Sequence, residues 1–139
     1  MEIIGLGTDI VEVARVKKAI SSEKFLTMCF TKAEVEYCSK KEIQSFAGMF
    51  AAKESVAKAI GSGFSGFLPR DVEICHTDEG VPFVKLSNEI KLATNSSIML
   101  SISHENAYAT AVAMIVKEGE PHVPKAKPKK SGQNASEGE

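Results

Sequence analysis

No apolar run in this chain of 139 residues approaches the ~20 consecutive residues that a membrane-crossing helix needs. Charge of one sign is also lacking. The formal net charge is -1, which removes the electrostatic pull that nucleic-acid binding depends on. Cysteine is sparse: Cys29, Cys38 and Cys75 are odd in number and form no CxxC pair. That pattern argues against a disulfide framework or a zinc site, and a reducing compartment fits best. The opening Met1-Glu2-Ile3-Ile4-Gly5 lacks the basic segment of a leader peptide. A soluble, cytoplasmic protein with no nucleic-acid or membrane partner is expected. Aliphatic residues run out near residue 119, and from there to the end Pro, Lys, Ser, Gly and Glu dominate. Such a stretch cannot bury enough apolar surface to offset its ordering entropy, so 119–139 is expected to be a disordered polar tail. Hydrophobic residues make up 43% of the chain, enough for one packed domain over 1–118.

Within that domain the pattern predicts a strand over 3–6. Asp9 then reads as the cap of a helix over 10–20, with Ile10, Val13 and Ile20 on one stripe. Thr31 and Glu34 have the spacing of a capping box, which starts a short helix reaching about residue 40. The longest helix is expected over 41–60 and is stopped by Gly61 and Gly63. Strands follow over 72–75 and 82–86, joined by a turn at Asp78-Glu79-Gly80, then a brief helix over 88–93. Two more strands, 98–103 and 107–116, turn near Glu105-Asn106. One strand, several helices and then several antiparallel strands make an α+β layout rather than an alternating one.

Two segments carry candidate chemistry. Gly7-Thr8-Asp9-Ile10-Val11-Glu12-Val13-Ala14-Arg15 places an acid after a strand. On spacing alone Asp9 is a helix cap. Phe50-Ala51-Ala52-Lys53-Glu54-Ser55-Val56-Ala57-Lys58 places Glu54 and Lys58 one helical turn apart. A surface ion pair is the plainest reading, but the small and apolar neighbours mark a largely buried helix. Charges beside a packed face are costly and point to function. The residues by themselves support an acidic metal site with a lysine nearby.

Together the two segments resemble the small, bacterial-type 4′-phosphopantetheinyl transferases. That family pairs a Gly-x-Asp and following Arg near the first strand with Lys-Glu-x-x-x-Lys-Ala on the long helix. A third segment, Leu100-Ser101-Ile102-Ser103-His104, is similar to its Ser-x-Ser-His strand end. Three motifs in register over roughly residues 1–116 make the resemblance specific. It implies that phosphopantetheine passes from coenzyme A to a serine of an acyl carrier protein, with 3′,5′-ADP leaving. It implies that Asp9 and Glu54 are the carboxylates holding Mg2+, a cation that takes one or two carboxylates plus water and phosphate oxygens. Lys58 would hold phosphates as a mobile point charge. Glu54, directly or through a metal-bound water, is the candidate base for the serine proton. Gly61 and Gly63, besides stopping the helix, would let backbone approach the coenzyme. Ser103 and His104 would line the coenzyme site, from a neighbouring subunit if the site is shared. Arg15 matches a carrier-docking arginine, and Lys18, at i+3, extends a basic face toward an acidic carrier helix.

The chain departs from the pattern at two places. Met49 stands where an Arg is common, for which Lys40 and Lys41 are the nearby replacements, and Val81 stands where a Lys is frequent. Larger transferases fuse two copies of this unit. A single copy implies a site built between subunits, with a homotrimer as the family precedent. The alternatives are a magnesium-dependent phosphohydrolase using the same carboxylates, or a coenzyme- or carrier-binding module without turnover.

Overall fold

The computed structural model describes residues 1–119 and residue 124. The tail expected over 119–139 lies, apart from Gly119 and Pro124, outside the described residues. In chain order the elements are β1 (Glu2–Glu12), α1 (Val13–Ala19), α2 (Glu23–Cys29), α3 (Lys32–Ser39), α4 (Ile43–Ile60), a 3-10 turn (Pro69–Asp71), β2 (Val72–His76), β3 (Pro82–Leu86), β4 (Ser96–His104) and β5 (Tyr108–Lys117). Strands β1, β5 and β4 form one antiparallel sheet with β5 in the middle, and β2 with β3 forms a separate hairpin. The α+β expectation holds.

The centre of the molecule is α4 lying on one face of the three-stranded sheet. Side chains alternate across a strand, so the α4 face of β5 is Ala109, Ala111, Ala113 and Ile115, all buried. Helix α4 answers with Ala51, Ala52, Ser55 and Ala59, also buried. Small residues on both sides let helix and sheet approach closely. Strand β1 comes closest of all: a Cβ on Gly7 would collide with the carbonyl oxygen of Ser55, and one on Gly5 with that of Ala59. The outer face of the same sheet is uncovered, with Leu6, Ile10, Met99 and Val112 exposed.

Two expected helices are corrected. Residues 10–12 continue β1 instead of opening a helix, because Asp9, Ile10, Val11 and Glu12 pair with Ala111, Thr110, Ala109 and Tyr108. Ile10 and Val11 are β-branched, and the ladder outcompetes a local cap. The helix starts only at Val13, and Asp9 is not its cap. Residues 88–93 make only a single turn, Ile90 N–H to Ser87 O, and no helix. A helix the sequence reading passed over, α2, is capped by Ser22, which accepts from Phe25 N–H. The capping box at Thr31 and Glu34 is formed, and Gly61 ends α4 with φ 100°. Among the described residues no helix is long and apolar enough to cross a membrane.

Candidate active site

The first cleft opens where β1 runs out over α4. The extra length of β1 carries Asp9 onto the α4 face, in line with Gly5 and Gly7. The two glycines bring the strand down onto the helix, so the next residue on that face meets α4 side chains directly. Lys58 Nζ donates to Thr8 O at 2.9 Å and to Asp9 Oδ1 at 3.0 Å. Lysine 58 therefore pairs with the carboxylate across the cleft rather than with Glu54 on its own helix. Its side chain is 54% exposed and that of Asp9 14% exposed, so both remain in reach of solvent and ligand.

Glu54 faces the same space. Burial holds its carboxyl above the usual range, the neighbouring Asp9 carboxylate pushes it further up, and Lys58 pulls it down. A carboxyl held up by burial and by a neighbouring carboxylate gains from a cation placed beside it. The cleft has a volume of about 460 Å3, and Arg15, Phe50 and Tyr108 also line it. Among the described residues no cluster of three or more His, Cys, Asp or Glu side chains gathers. Two carboxylates with open space suit a hard cation that keeps water and ligand oxygens around it.

Glu54's neighbour on α4 has the opposite environment. Lys53 is 0% exposed and lies 2.8 Å from each oxygen of Glu34, itself 1% exposed. Lys53 Nζ also reaches Val72 O at 2.7 Å and Pro69 O at 3.1 Å. Glu34 accepts from Thr31 N–H at 2.8 Å and Ile74 N–H at 2.7 Å. Burial lowers the proton affinity of Lys53, and the Glu34 carboxylate opposes that by raising it.

A second cleft, about 310 Å3, lies on the other flank of α4 and is lined by Lys41, Met49, His76, Gly80, Pro82 and His104, among others. Tyr37 and His76 stack at its wall with ring centroids 4.2 Å apart, and Lys41 Nζ sits 5.1 Å from the Tyr37 centroid. Burial and Lys41 both hold the His76 imidazole below its ordinary value, and its buried Nδ1 has no hydrogen-bond partner. Met49 is buried with its sulfur 3.8 Å from Cys38 Sγ. Gly48 is required here, because a Cβ would sit 2.8 Å from Ile102 and 3.5 Å from His104.

The sequence-predicted residues thus divide. Asp9, Glu54 and Arg15 line the first cleft, and Lys58 joins them through its bond to Asp9. Lys41 and His104 gather at the second, together with Met49 and with the two neighbours of Val81. Ser103 has the opposite strand parity from His104 and points to the outer sheet face. Gly61 and Gly63 line neither cleft, and Lys18 is exposed on α1. Sequence reasoning missed the role of Lys53, the Gly5–Gly7 approach and the Tyr37–His76 wall. The alternating Gly-x-Gly in β1 opposite a small-residue helix was the available signal for the second of these.

The family described as the 4′-phosphopantetheinyl transferase superfamily matches residues 5–113. The chain is 44% identical over 118 residues to a holo-[acyl-carrier-protein] synthase of Thermoanaerobacter sp. strain X514, covering 80% of this chain and 86% of that one. Its fold is similar to a holo-(acyl-carrier-protein) synthase from Bacillus anthracis solved in complex with CoA (3′,5′-ADP). The TM-score is 0.72 at 29% identity, covering 85% of this chain and 100% of that one. It is also similar to the Helicobacter pylori holo-[acyl-carrier-protein] synthase solved with coenzyme A. There the TM-score is 0.70 at 32% identity, covering 80% and 99%.

Proposed function

The chain belongs to the 4′-phosphopantetheinyl transferase superfamily and is a phosphopantetheinyl transferase of the holo-[acyl-carrier-protein] synthase kind, and from that premise we propose how its own side chains carry the reaction. Coenzyme A and apo acyl carrier protein are the substrates. The carrier's serine oxygen bonds to the β-phosphorus of coenzyme A. The bond from that phosphorus to the bridging oxygen breaks, and 3′,5′-ADP leaves with the electron pair.

The observation that carries the assignment is the meeting of Asp9, Glu54 and Lys58 in the first cleft. Asp9 and Glu54 would hold Mg2+, since a cation between them relieves the cost of ionising Glu54, a partly buried carboxyl beside the Asp9 carboxylate. When bound, the metal supplies positive charge that polarises the phosphoryl group and neutralises the leaving phosphate. Lys58 exchanges its bond to Asp9 for the pyrophosphate oxygens, a shift its exposure allows. Glu54 receives the serine proton. Arg15, at the edge of the cleft, and Lys18 on α1 steer an acidic carrier surface to the site.

The second cleft, with Lys41 and His104, takes the phosphorylated nucleoside end of coenzyme A. Asp9 and His104 occupy the two edge strands of one sheet face, on either side of β5 and with α4 packed over that face. Met49 and Glu54 are turned from each other by roughly 140° on α4. One coenzyme therefore meets both sets only where two copies of the chain come together. The uncovered outer sheet face, with Leu6 at 65% and Ile10 at 63% exposure, supports such an assembly. A cyclic homotrimer closes this head-to-tail arrangement. Three free cysteines fit work in the reducing cytoplasm.

Two experiments test the reading. Release of 3′,5′-ADP from coenzyme A is expected only when apo carrier is present, and equal release without carrier would move the activity to hydrolysis. The second test is run at coenzyme A well below the KM of His104→Ala, where Asp9→Asn and His104→Ala chains each have little activity alone. Refolded together, the two are expected to regain about a quarter of full activity, because one site in four then draws an intact half from each copy. No recovery, or a fully active monomer by light scattering, would defeat the shared site.

A further inference from the structure

The second cleft has walls from three parts of the chain. One wall is α4 with β4, bearing Gly48, Met49, Ile102 and His104. The facing wall comes from the end of α3 and from the β2–β3 hairpin, bearing Tyr37, Lys41, His76, Gly80 and Pro82. The hairpin is no part of the main sheet, so no continuous strand ladder fixes its distance from α4. Below the cleft floor, Lys53 projects from α4 and fixes both components of the facing wall at once. It bonds Glu34 in the first turn of α3, and it bonds the carbonyls of Pro69 and Val72 where β2 begins. Glu34 completes the junction by accepting from Ile74 N–H in β2 and from Thr31 N–H at the start of α3.

The three ammonium protons of Lys53 face four acceptors, all within 3.1 Å, and both Glu34 oxygens carry an additional backbone donor. An apolar contact at this junction tolerates sliding, whereas a buried set of directional bonds has one geometry. Met49 lies one helical turn before Lys53 on the same helix. The position of the clamp is therefore passed to the cleft with little slack.

We propose that Lys53 and Glu34 are positioning residues for the second cleft. The buried pair sets the spacing between α4 and the wall formed by α3 and the hairpin, and so the fit of the nucleoside end of coenzyme A. This rests on the reading of that cleft as part of the coenzyme site. The pair touches no substrate and leaves Asp9, Glu54 and Lys58 undisturbed. Its loss is expected to weaken coenzyme binding with little effect on the chemical step.

Steady-state kinetics of the full-length enzyme with a saturating apo carrier test this. In Lys53→Met/Glu34→Leu both charges vanish with little change in volume. KM for coenzyme A is expected to rise about ten-fold, with kcat and KM for the carrier within about two-fold of wild type. Glu34→Asp, which keeps the charge but shortens the arm that carries it, is expected to shift KM in the same direction by a smaller factor and serves if the double variant fails to fold. A lowered Tm with an unchanged KM for coenzyme A would reduce the pair to a structural role and overturn the proposal. So would a fall in kcat alone. Lys41→Ala and His104→Ala separate the two levels. If these raise KM for coenzyme A and the Lys53 and Glu34 variants do not, only the positioning role fails. If neither raises it, the coenzyme reading of the cleft fails and the proposal falls with it.

Discussion

Helix α4 carries two lysines five residues apart, each bonded to a carboxylate, and the two pairs have opposite designs. Lys53 and Glu34 are sealed from water, and every polar atom around them has a partner. Lys58 and Asp9 are open, share a single 3.0 Å contact, and face a second carboxylate that burial and Asp9 make reluctant to ionise. A satisfied buried pair holds elements together. On the proposed reading, a partly exposed one exchanges partners when a cation and phosphates arrive. Both residue types recur in one motif, so burial and bonding, not identity, assign the roles.

The largest effect should come from breaking the sealed pair. Lys53→Met leaves Glu34 buried without its cation and is expected to cost about 3–5 kcal/mol by urea unfolding, whereas Lys58→Met should cost less than about 1 kcal/mol. Similar costs at the two lysines would erase the contrast. Activity should reverse the order. Glu54→Gln or Asp9→Asn is expected to lower kcat by about 10^2–10^3 while leaving the fold intact by circular dichroism. Next comes the contact that sets the open site, where Gly7→Ala forces β1 off α4 and should cost about 1–3 kcal/mol, read as a lower Tm.

A pH series sharpens the comparison further. Glu54 holds its proton more tightly in the folded chain than the usual 4.5 of the unfolded one. Without metal, stability should therefore fall as pH rises from about 4.5 through the raised value, and stay lower above it. Glu54→Gln should remove that fall, and magnesium at neutral pH should offset it in the wild type only, both measured by thermal melts with and without chelator. The smallest effect concerns the thiols beside the sealed pair. Burial pushes Cys29 up to about 11 and Cys38 up to about 12 and raises Cys75 as well, but Cys75 alone of the three is partly exposed, so it should react first with a thiol reagent in the folded protein.

Local signals in the sequence predicted the local structure well. The capping box at Thr31 and Glu34, the Gly61 stop of α4 and the turn at Gly80 depend on neighbours a few residues away, and they appear as expected. Asp9 reads as a helix cap in the sequence and is a strand residue in the structure. Its strand partner Ala111 lies some hundred residues along the chain, and only that ladder tells a strand residue from a helix cap. Glu54 and Lys58 are legible in the sequence as a candidate pair one helical turn apart, but the bond from Lys58 to Asp9 depends on how closely the Gly5 and Gly7 backbone approaches α4. Lys53 looked like one more helical lysine because its acceptors come from α3, from the turn before β2 and from β2 itself. The division of the candidate coenzyme residues between two flanks of α4 is likewise a property of packing and not of spacing.

The most direct test is the intact mass of an apo acyl carrier protein after incubation with this protein, coenzyme A and magnesium, beside reactions lacking the metal or using Glu54→Gln. The account predicts a phosphopantetheine mass gain in the complete reaction that disappears in both controls. A gain that persists with Glu54→Gln in the absence of metal would contradict the role given to the open carboxylate pair, and no gain with any carrier by a folded preparation would contradict the transfer itself.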